Sequence, residues 1–381
     1  ATTRSYIMIL IVFGAVLVDR PALSMRNIVI AAAIILAIAP HEIAGASFQM
    51  SFAATAALIA AHERKWFPRV QAWDDSWLSF LLSKAVTIFL ITVATSLVAE
   101  IATLPYTLHH FHRVSTFGIV GNVLALVFIE LAIMPGVLLT LLALPFGLEQ
   151  WTLPILGLGV DGMIGVAKFV AGFPVALVGL SGFGTASLLL CSFSIAWACL
   201  WRTRIAALAI IPYMAGVVIG FYEKTPDIYI SHTGWSVAVR NEAGALSLLA
   251  SPREKFAAMR WLENDGDRRD FDDASIKNGQ RCDPLGCTVQ NPDIGLVAVN
   301  YDRAALAEDC MRADILILPR SEAPSFCTRP KQVIGKKEIQ AAQGMSISAS
   351  RTWSGETAFD VQSVAEKCGA RPWCVPVSKT Q

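Results

Sequence analysis

Apolar residues run in long, almost charge-free blocks up to Phe221, and beyond it they break into short alternating stretches. The blocks cover about 6–18, 27–39, 47–61, 78–102, 117–146, 151–172, 185–200 and 205–221. A straight helix needs ~20 residues to cross a bilayer. Several blocks are shorter than that, whereas 117–146 is longer and interrupted. Unequal lengths of this kind predict a polytopic α-helical membrane bundle of about eight spans, some of them discontinuous.

After residue 222 the pattern changes. Asp227-Ile228-Tyr229-Ile230 and Ser236-Val237-Ala238-Val239 alternate as strands do, with His232-Thr233-Gly234 between them. A further short apolar run lies at 246–249, and 295–299 and 315–318 read as short buried strands. Residues 256–262 and 304–311 read as helices. Strands mixed with helices predict a small α/β domain over 223–381, large enough for a core of its own.

Composition sharpens this division. A hydrophobic content of 54% and a mean hydropathy of +0.53 exclude an ordinary soluble protein. Residues 1–222 hold 11 Lys/Arg and 9 Asp/Glu, whereas 223–381 hold 20 and 21. The net charge of +1 is too small for bulk electrostatics to hold a polyanion, so a nucleic-acid contact must come from local patches. The chain opens without methionine and without a signal-peptide pattern, and so reads as a piece of a longer protein.

Charge also predicts sidedness. Arg20 and Arg26, then Arg64, Lys65 and Arg69, then Arg202 and Arg204, fall in alternate connections, which predicts those connections to be cytoplasmic. With eight crossings, the first residue and the tail then lie outside. Between the third and fourth blocks, Trp66, Phe67, Trp73 and Trp77 interleave with basic residues, the composition of a segment lying among headgroups. The same composition can stack the bases of a single strand.

Residues 103–147 concentrate the candidate chemistry. Pro105 is expected to open a short polar segment with His109, His110, His112 and Arg113. Gly118, Gly121 and Asn122 lead into an apolar run holding Glu130 and the helix-breaking pair Pro135-Gly136. In hydrocarbon a broken helix survives only against protein or a wet cavity, and an ionisable residue usually faces the bundle interior. Asn122 and Glu130 therefore read as pathway lining, or else as polar residues of a Pro-kinked helix paired with neighbours. Gln49 and Ser51, beside Ala53, Ala54 and Thr55, are packing residues in one reading and a patch of pore wall in the other. The histidines form a proton relay or metal cluster, or meet water and headgroups at the membrane rim.

Gly45, with Phe48-Gln49-Met50-Ser51-Phe52-Ala53-Ala54, resembles the GFQLSF-type segment of the ComEC family, the inner-membrane DNA channels of natural transformation. Asp19-Arg20-Pro21 and the run to Pro40 sit at the expected spacing upstream. Leu104-Pro105, Phe111, Ser115, Gly118 and Asn122, followed by Met134-Pro135, resemble the family pattern hPhFxxxSxxGxxxN, with h apolar. Ser47 stands where the family usually has Gly, and Val127 where it often has Pro. The resemblance covers 1–222 and implies a channel that passes single-stranded DNA into the cytoplasm. It also implies a periplasmic DNA-receptor protein, a cytoplasmic ATPase or helicase-type partner, membrane lipid, and room for a homo-oligomer. Candidate path residues are then Gln49, Ser51, His109, Arg113, Asn122 and Glu130, with structural breaks at Pro105, Gly118, Gly121, Pro135 and Gly136. A secondary transporter for a small solute is the alternative, and an envelope nuclease or a membrane anchor for the tail stands behind it.

Six of the eight cysteines fall in the tail: Cys282, Cys287, Cys310, Cys327, Cys368 and Cys374. An even number in a segment placed outside predicts disulfides. Proximity along the chain prefers Cys282 with Cys287 and Cys310 with Cys327. A competing zinc site would have no CxxC and only His232 to draw on.

The tail itself resembles the metallo-β-lactamase-like domain that ends many ComEC proteins. Its opening strands, with Gly234, are similar to that domain's DVGQGD region. Ala313-Asp314-Ile315-Leu316 and Pro319 are similar to the strand that leads into its His-His-Gly-Ser ligand loop. Here Arg320-Ser321-Glu322-Ala323 stand at that point, and no HxHxDH occurs. Two-metal hydrolysis needs several imidazole and carboxylate ligands. A degenerate domain without metal, cofactor or enzymatic activity is therefore expected, and without GxxxxGK[ST] any energy from ATP must come from a partner.

Overall fold

The computed structural model describes residues 2–21, 23–67, 77–351, 357–369 and 371. Arg69, Trp73 and Cys374 lie outside the described residues. The chain divides into two compact units, Ala1–Tyr222 and Glu223–Gln381.

The first unit is helical: α1 (Thr2–Leu17), α2 (Met25–Ile38), α3 (Ala46–Glu63), α4 (Trp77–Phe111), α5 (Gly118–Phe128), α6 (Met134–Ala143), α7 (Glu149–Ala171), α8 (Thr185–Leu200) and α9 (Ile210–Tyr222). Two short strands, β1 (Arg113–Ser115) and β2 (Leu177–Gly179), pair antiparallel between them. Among the described residues, four stretches are long and apolar enough to cross a membrane: Trp77–Phe111, Gly118–Phe146, Glu149–Ala171 and Arg204–Tyr222. Ser5–Leu17, Met25–Ile38 and Thr185–Leu200 are apolar but shorter. The protein is a membrane protein, and four helices among the described residues reach spanning length, where the sequence pattern predicts about eight crossings.

Two expected breaks are absent. Pro105 opens no separate polar segment, because α4 runs through it and carries His109 and His110 in its last turn. A proline inside a helix supplies no N–H to the carbonyl four residues earlier. That carbonyl, Ile101 O, instead accepts a hydrogen bond from Tyr213 Oη of α9 at 2.8 Å. The buried proline is thus compensated from a distant helix.

Pro135-Gly136 does not interrupt its run either. Gly118–Phe146 is one apolar helical stretch of 29 residues. Its α5 and α6 parts are joined by a π-helical turn, Ile129–Ile133, in which the Met134 N–H reaches Ile129 O. Pro135 then falls in the first turn of α6, where a missing N–H costs least. The wide turn replaces the expected pair of half-helices, and Glu130 lies within it.

The second unit is rich in strands. β3 (Ile228–Ile230), β4 (Val237–Arg240), β5 (Leu246–Leu249), β6 (Gln280–Cys282), β7 (Gly286–Asn291), β8 (Gly295–Asn300), β9 (Ile315–Ile317), β10 (Gln332–Ile334), β11 (Met345–Arg351) and β12 (Thr357–Ser363) alternate with α10 (Lys255–Asn264), α11 (Leu306–Arg312), α12 (Lys336–Ala342) and α13 (Val364–Cys368). One five-stranded sheet has the order β12-β11-β3-β4-β5, and the other β10-β9-β8-β7-β6.

Period-2 alternation gives the central strands two apolar faces with different partners. Ile228, Ile230, Val237 and Val239 meet Val289, Val297, Val299, Ile315 and Ile317 in the central core between the sheets. The opposite faces pack outward, Tyr229, Ala238 and Leu248 against Ala258 and Leu262 of α10, and Ala298 and Leu316 against Leu306 and Cys310 of α11. The layers therefore run helix, sheet, sheet, helix.

Candidate functional site

Asn122, on α5, donates from Nδ2 to Ser96 Oγ of α4 at 2.7 Å. Ser96 is buried, whereas Asn122 is exposed. One turn away along the same two helices, Gly118 faces Glu100: a Cβ on Gly118 would stand 3.1 Å from Glu100 Oε1. Ser96 and Glu100 lie four apart on α4, as do Gly118 and Asn122 on α5, so both pairs share one seam. Gly118 therefore serves close approach to a carboxylate at the start of α5. Neither Ser96 nor Glu100 belongs to a motif, although a lone carboxylate in the apolar block 78–102 is itself a signal.

The histidines and Gln49 form a second cluster. Gln49 Nε2 donates to Ile43 O at 2.9 Å, which orients the amide so that its Oε1 accepts from His110 Nε2 at 2.8 Å. A carbonyl can only accept, so the 2.8 Å contact with Phe183 O puts a proton on His109 Nδ1. The two rings meet edge to face at 4.9 Å. His112 turns the chain with a left-handed φ of 51°, and its carbonyl accepts from Leu180 N at 2.9 Å. Arg113 follows in β1, exposed and opposite Gly179. Gln49 and the histidines thus join α3, the end of α4 and the segment before α8.

Other candidates stand apart. Ser51 is exposed on α3, where its carbonyl accepts from Thr55 Oγ1 at 2.7 Å. Glu130 is exposed and makes no hydrogen bond or ion pair among the described residues. Its helix lies antiparallel against α7, with Phe128 over Gly162, Ala132 and Ile133 over Gly159, and Gly136 over Leu156. A Cβ on Gly162 would collide with the Phe128 ring. This register brings Asp161, also exposed and not singled out from the sequence, to the level of Glu130.

The opposite end of α8 carries the basic residues. Arg64 Nη2 donates to Ala198 O and Trp201 O, satisfying carbonyls that the helix end leaves open. Arg202 pairs with Glu63 at 2.6 Å, and the Arg64 guanidinium lies 5.2 Å over the Trp66 ring. The C-termini of α3 and α8 therefore share one end. His109, β1 and β2 mark the other.

Residues 1–205 match the family model described as Competence protein. The chain belongs to the competence protein family. No curated protein and no solved structure matches it. Membership gives this chain a role in competence and DNA uptake. The match takes in α1 to α8, and with them the Asn122 seam, the histidine cluster and the Arg64 end of this competence domain.

In the second unit both preferred disulfides are formed. Cys282–Cys287 crosslinks β6 and β7 at directly opposed positions, and Cys310–Cys327 ties α11 to the β9–β10 loop. Cys368 is disulfide-bonded too. Among the described residues no group of three or more His, Cys, Asp or Glu could hold a metal ion. Asp314 accepts from Leu296 N at 2.8 Å, Asp227 from Ala349 N at 2.8 Å, and Glu322 from Lys337 N at 3.0 Å. These carboxylates fasten backbone.

Proposed function

We propose that the competence domain passes one DNA strand across the bacterial inner membrane along the face that carries Asn122. The observation that supports this most is an exposed amide, anchored to a buried hydroxyl, on a helix that is otherwise apolar. An exposed polar group is costly against lipid, so such a face suits water. A polyanion that must enter and leave needs dispersed polar groups. Exposed Glu130 and Asp161 fit a wet face and, by like-charge repulsion, keep phosphates from lodging at their level.

In this reading residues 1–222 are the translocating domain and the Arg64–Arg202 end faces the cytoplasm. Residues 223–381 are then periplasmic, a location that suits the disulfides. The tail is a non-enzymatic relative of metallo-β-lactamase-like domains. Its layering supports that likeness, and a single histidine in the tail supports the loss of hydrolysis. A periplasmic DNA-receptor protein delivers the strand, and a cytoplasmic ATPase or helicase draws it in.

Transformation frequency, measured beside protein abundance, tests the proposal. Asn122→Leu should abolish transformation at unchanged protein level, because Leu is well tolerated in hydrocarbon. Glu130→Gln should be mild. The paired carboxylates also favour a second reading, a cation-coupled solute transporter. That reading is supported if Asn122→Leu transforms normally while Glu130→Gln loses solute flux.

A further inference from the structure

We infer that the tail carries a stacking site for single-stranded DNA, built from Trp235, Tyr301 and Arg320. Gly234, with a left-handed φ of 77°, turns the chain between β3 and β4, and a Cβ there would lie 3.2 Å from Pro319 Cβ. That close approach joins the β3–β4 turn to the end of β9 and sets Trp235 beside Arg320. The Arg320 guanidinium stands 4.6 Å from the Trp235 ring centroid. Tyr301 lies nearly parallel to the indole, at 12° and 5.8 Å. Arg320 Nη1 donates to Tyr301 O at 3.3 Å, which fixes the guanidinium against the rings.

Three features of this cluster go beyond packing. Trp235 remains 40% exposed, and its indole N–H makes no hydrogen bond among the described residues. Arg320 is exposed and forms no ion pair among them, so its charge is open to an anion. The loop that follows Arg320 presents Phe326, 62% exposed, with Arg329 and Lys331 after it, and Cys310–Cys327 holds that loop to α11. Two carboxylates lie nearby, Glu254, which accepts from Thr233 Oγ1, and Glu322, which accepts from Lys337 N.

Aromatic faces beside unpaired cations are the elements that bind single strands, since every base has a face to stack and a phosphate to pair. A duplex hides its base faces, so the site should prefer single strands. This inference rests on the proposed uptake role.

The test uses the full chain in lipid nanodiscs and a fluorescein-labelled thymidine oligonucleotide of about 20 nucleotides, with a duplex of the same length beside it. Trp235→Ala should weaken single-strand binding about tenfold and leave duplex binding unchanged, and Trp235→Phe should retain most of the affinity. Arg320→Gln should weaken single-strand binding and lower its salt dependence, a readout that survives if Trp235→Ala fails to fold. Wild-type binding by both Trp235→Ala and Arg320→Gln would overturn the site, as would equal losses for single strand and duplex. Unchanged binding in Trp235→Ala together with transformation lost in Asn122→Leu would reject the tail site and retain the membrane path.

Discussion

In the tail, Ile228, Ile315 and Ile317 vanish completely between two sheets, whereas in the membrane unit large apolar side chains such as Leu138, Leu142, Leu158 and Ile211 stay exposed. In the membrane unit glycines leave room for neighbouring helices: Gly159 and Gly162 under Ala132 and Phe128, Gly216 under Cys191, and Gly220 under Phe183. The difference follows from the solvent. Water drives apolar surface together in the tail. Lipid gives no such drive, so helices there associate through small residues and hydrogen bonds. Tyr213 on Ile101 O, Asn122 on Ser96 and Arg64 on the end of α8 are bonds of that kind.

This contrast can be broken by substitution. The largest effect is expected from Ile317→Ala, which opens the central core and should cost the tail about 2–5 kcal/mol. Thermal unfolding monitored in the tail should show the loss, and the membrane unit should keep its detergent stability. Removing Cys310–Cys327 by paired alanine substitution should cost roughly 2–4 kcal/mol in the same assay. A tail that resists reductant without change would contradict this.

In the membrane unit the sign of hydrophobicity should invert. Gly162→Leu adds apolar surface yet should destabilise by about 1–3 kcal/mol, because the Phe128 ring occupies the space the new side chain would fill. Recovery in Gly162→Leu with Phe128→Ala would confirm the contact, and a Gly162→Leu protein as stable as wild type would remove it. Tyr213→Phe is the smallest, at roughly 1–2 kcal/mol, since it strands the Ile101 carbonyl opposite Pro105. A neutral outcome would mean that water or a neighbour serves that carbonyl instead.

The two units were also unequally legible in the sequence. Apolar blocks marked the helices of the membrane unit closely, alternation marked β3 and β4, and short apolar runs marked β5, β8 and β9. Strands such as Gln280–Cys282 and Thr357–Ser363 escaped because polar residues occupy half or more of each. Pro105 and Pro135 suggested breaks because their compensations are not local: a tyrosine over a hundred positions away and a π turn that no residue type announces. The disulfides were legible from the even number of cysteines in a tail placed outside, and their pairing from proximity along the chain. Asn122 was legible as an odd polar residue, but its partner Ser96 was not, since a serine in a span is unremarkable until a neighbour faces it.

The path itself is tested most directly by placing a photoreactive amino acid at chosen positions of the protein in cells that are taking up labelled DNA. Crosslinks to the incoming strand are expected at position 126, one turn along α5 from Asn122, and the captured DNA should be sensitive to a single-strand-specific nuclease. None is expected at position 211, where Ile211 is 63% exposed on the apolar helix α9. Equal capture at 126 and 211, or capture at 211 alone, would contradict a strand passing along Asn122.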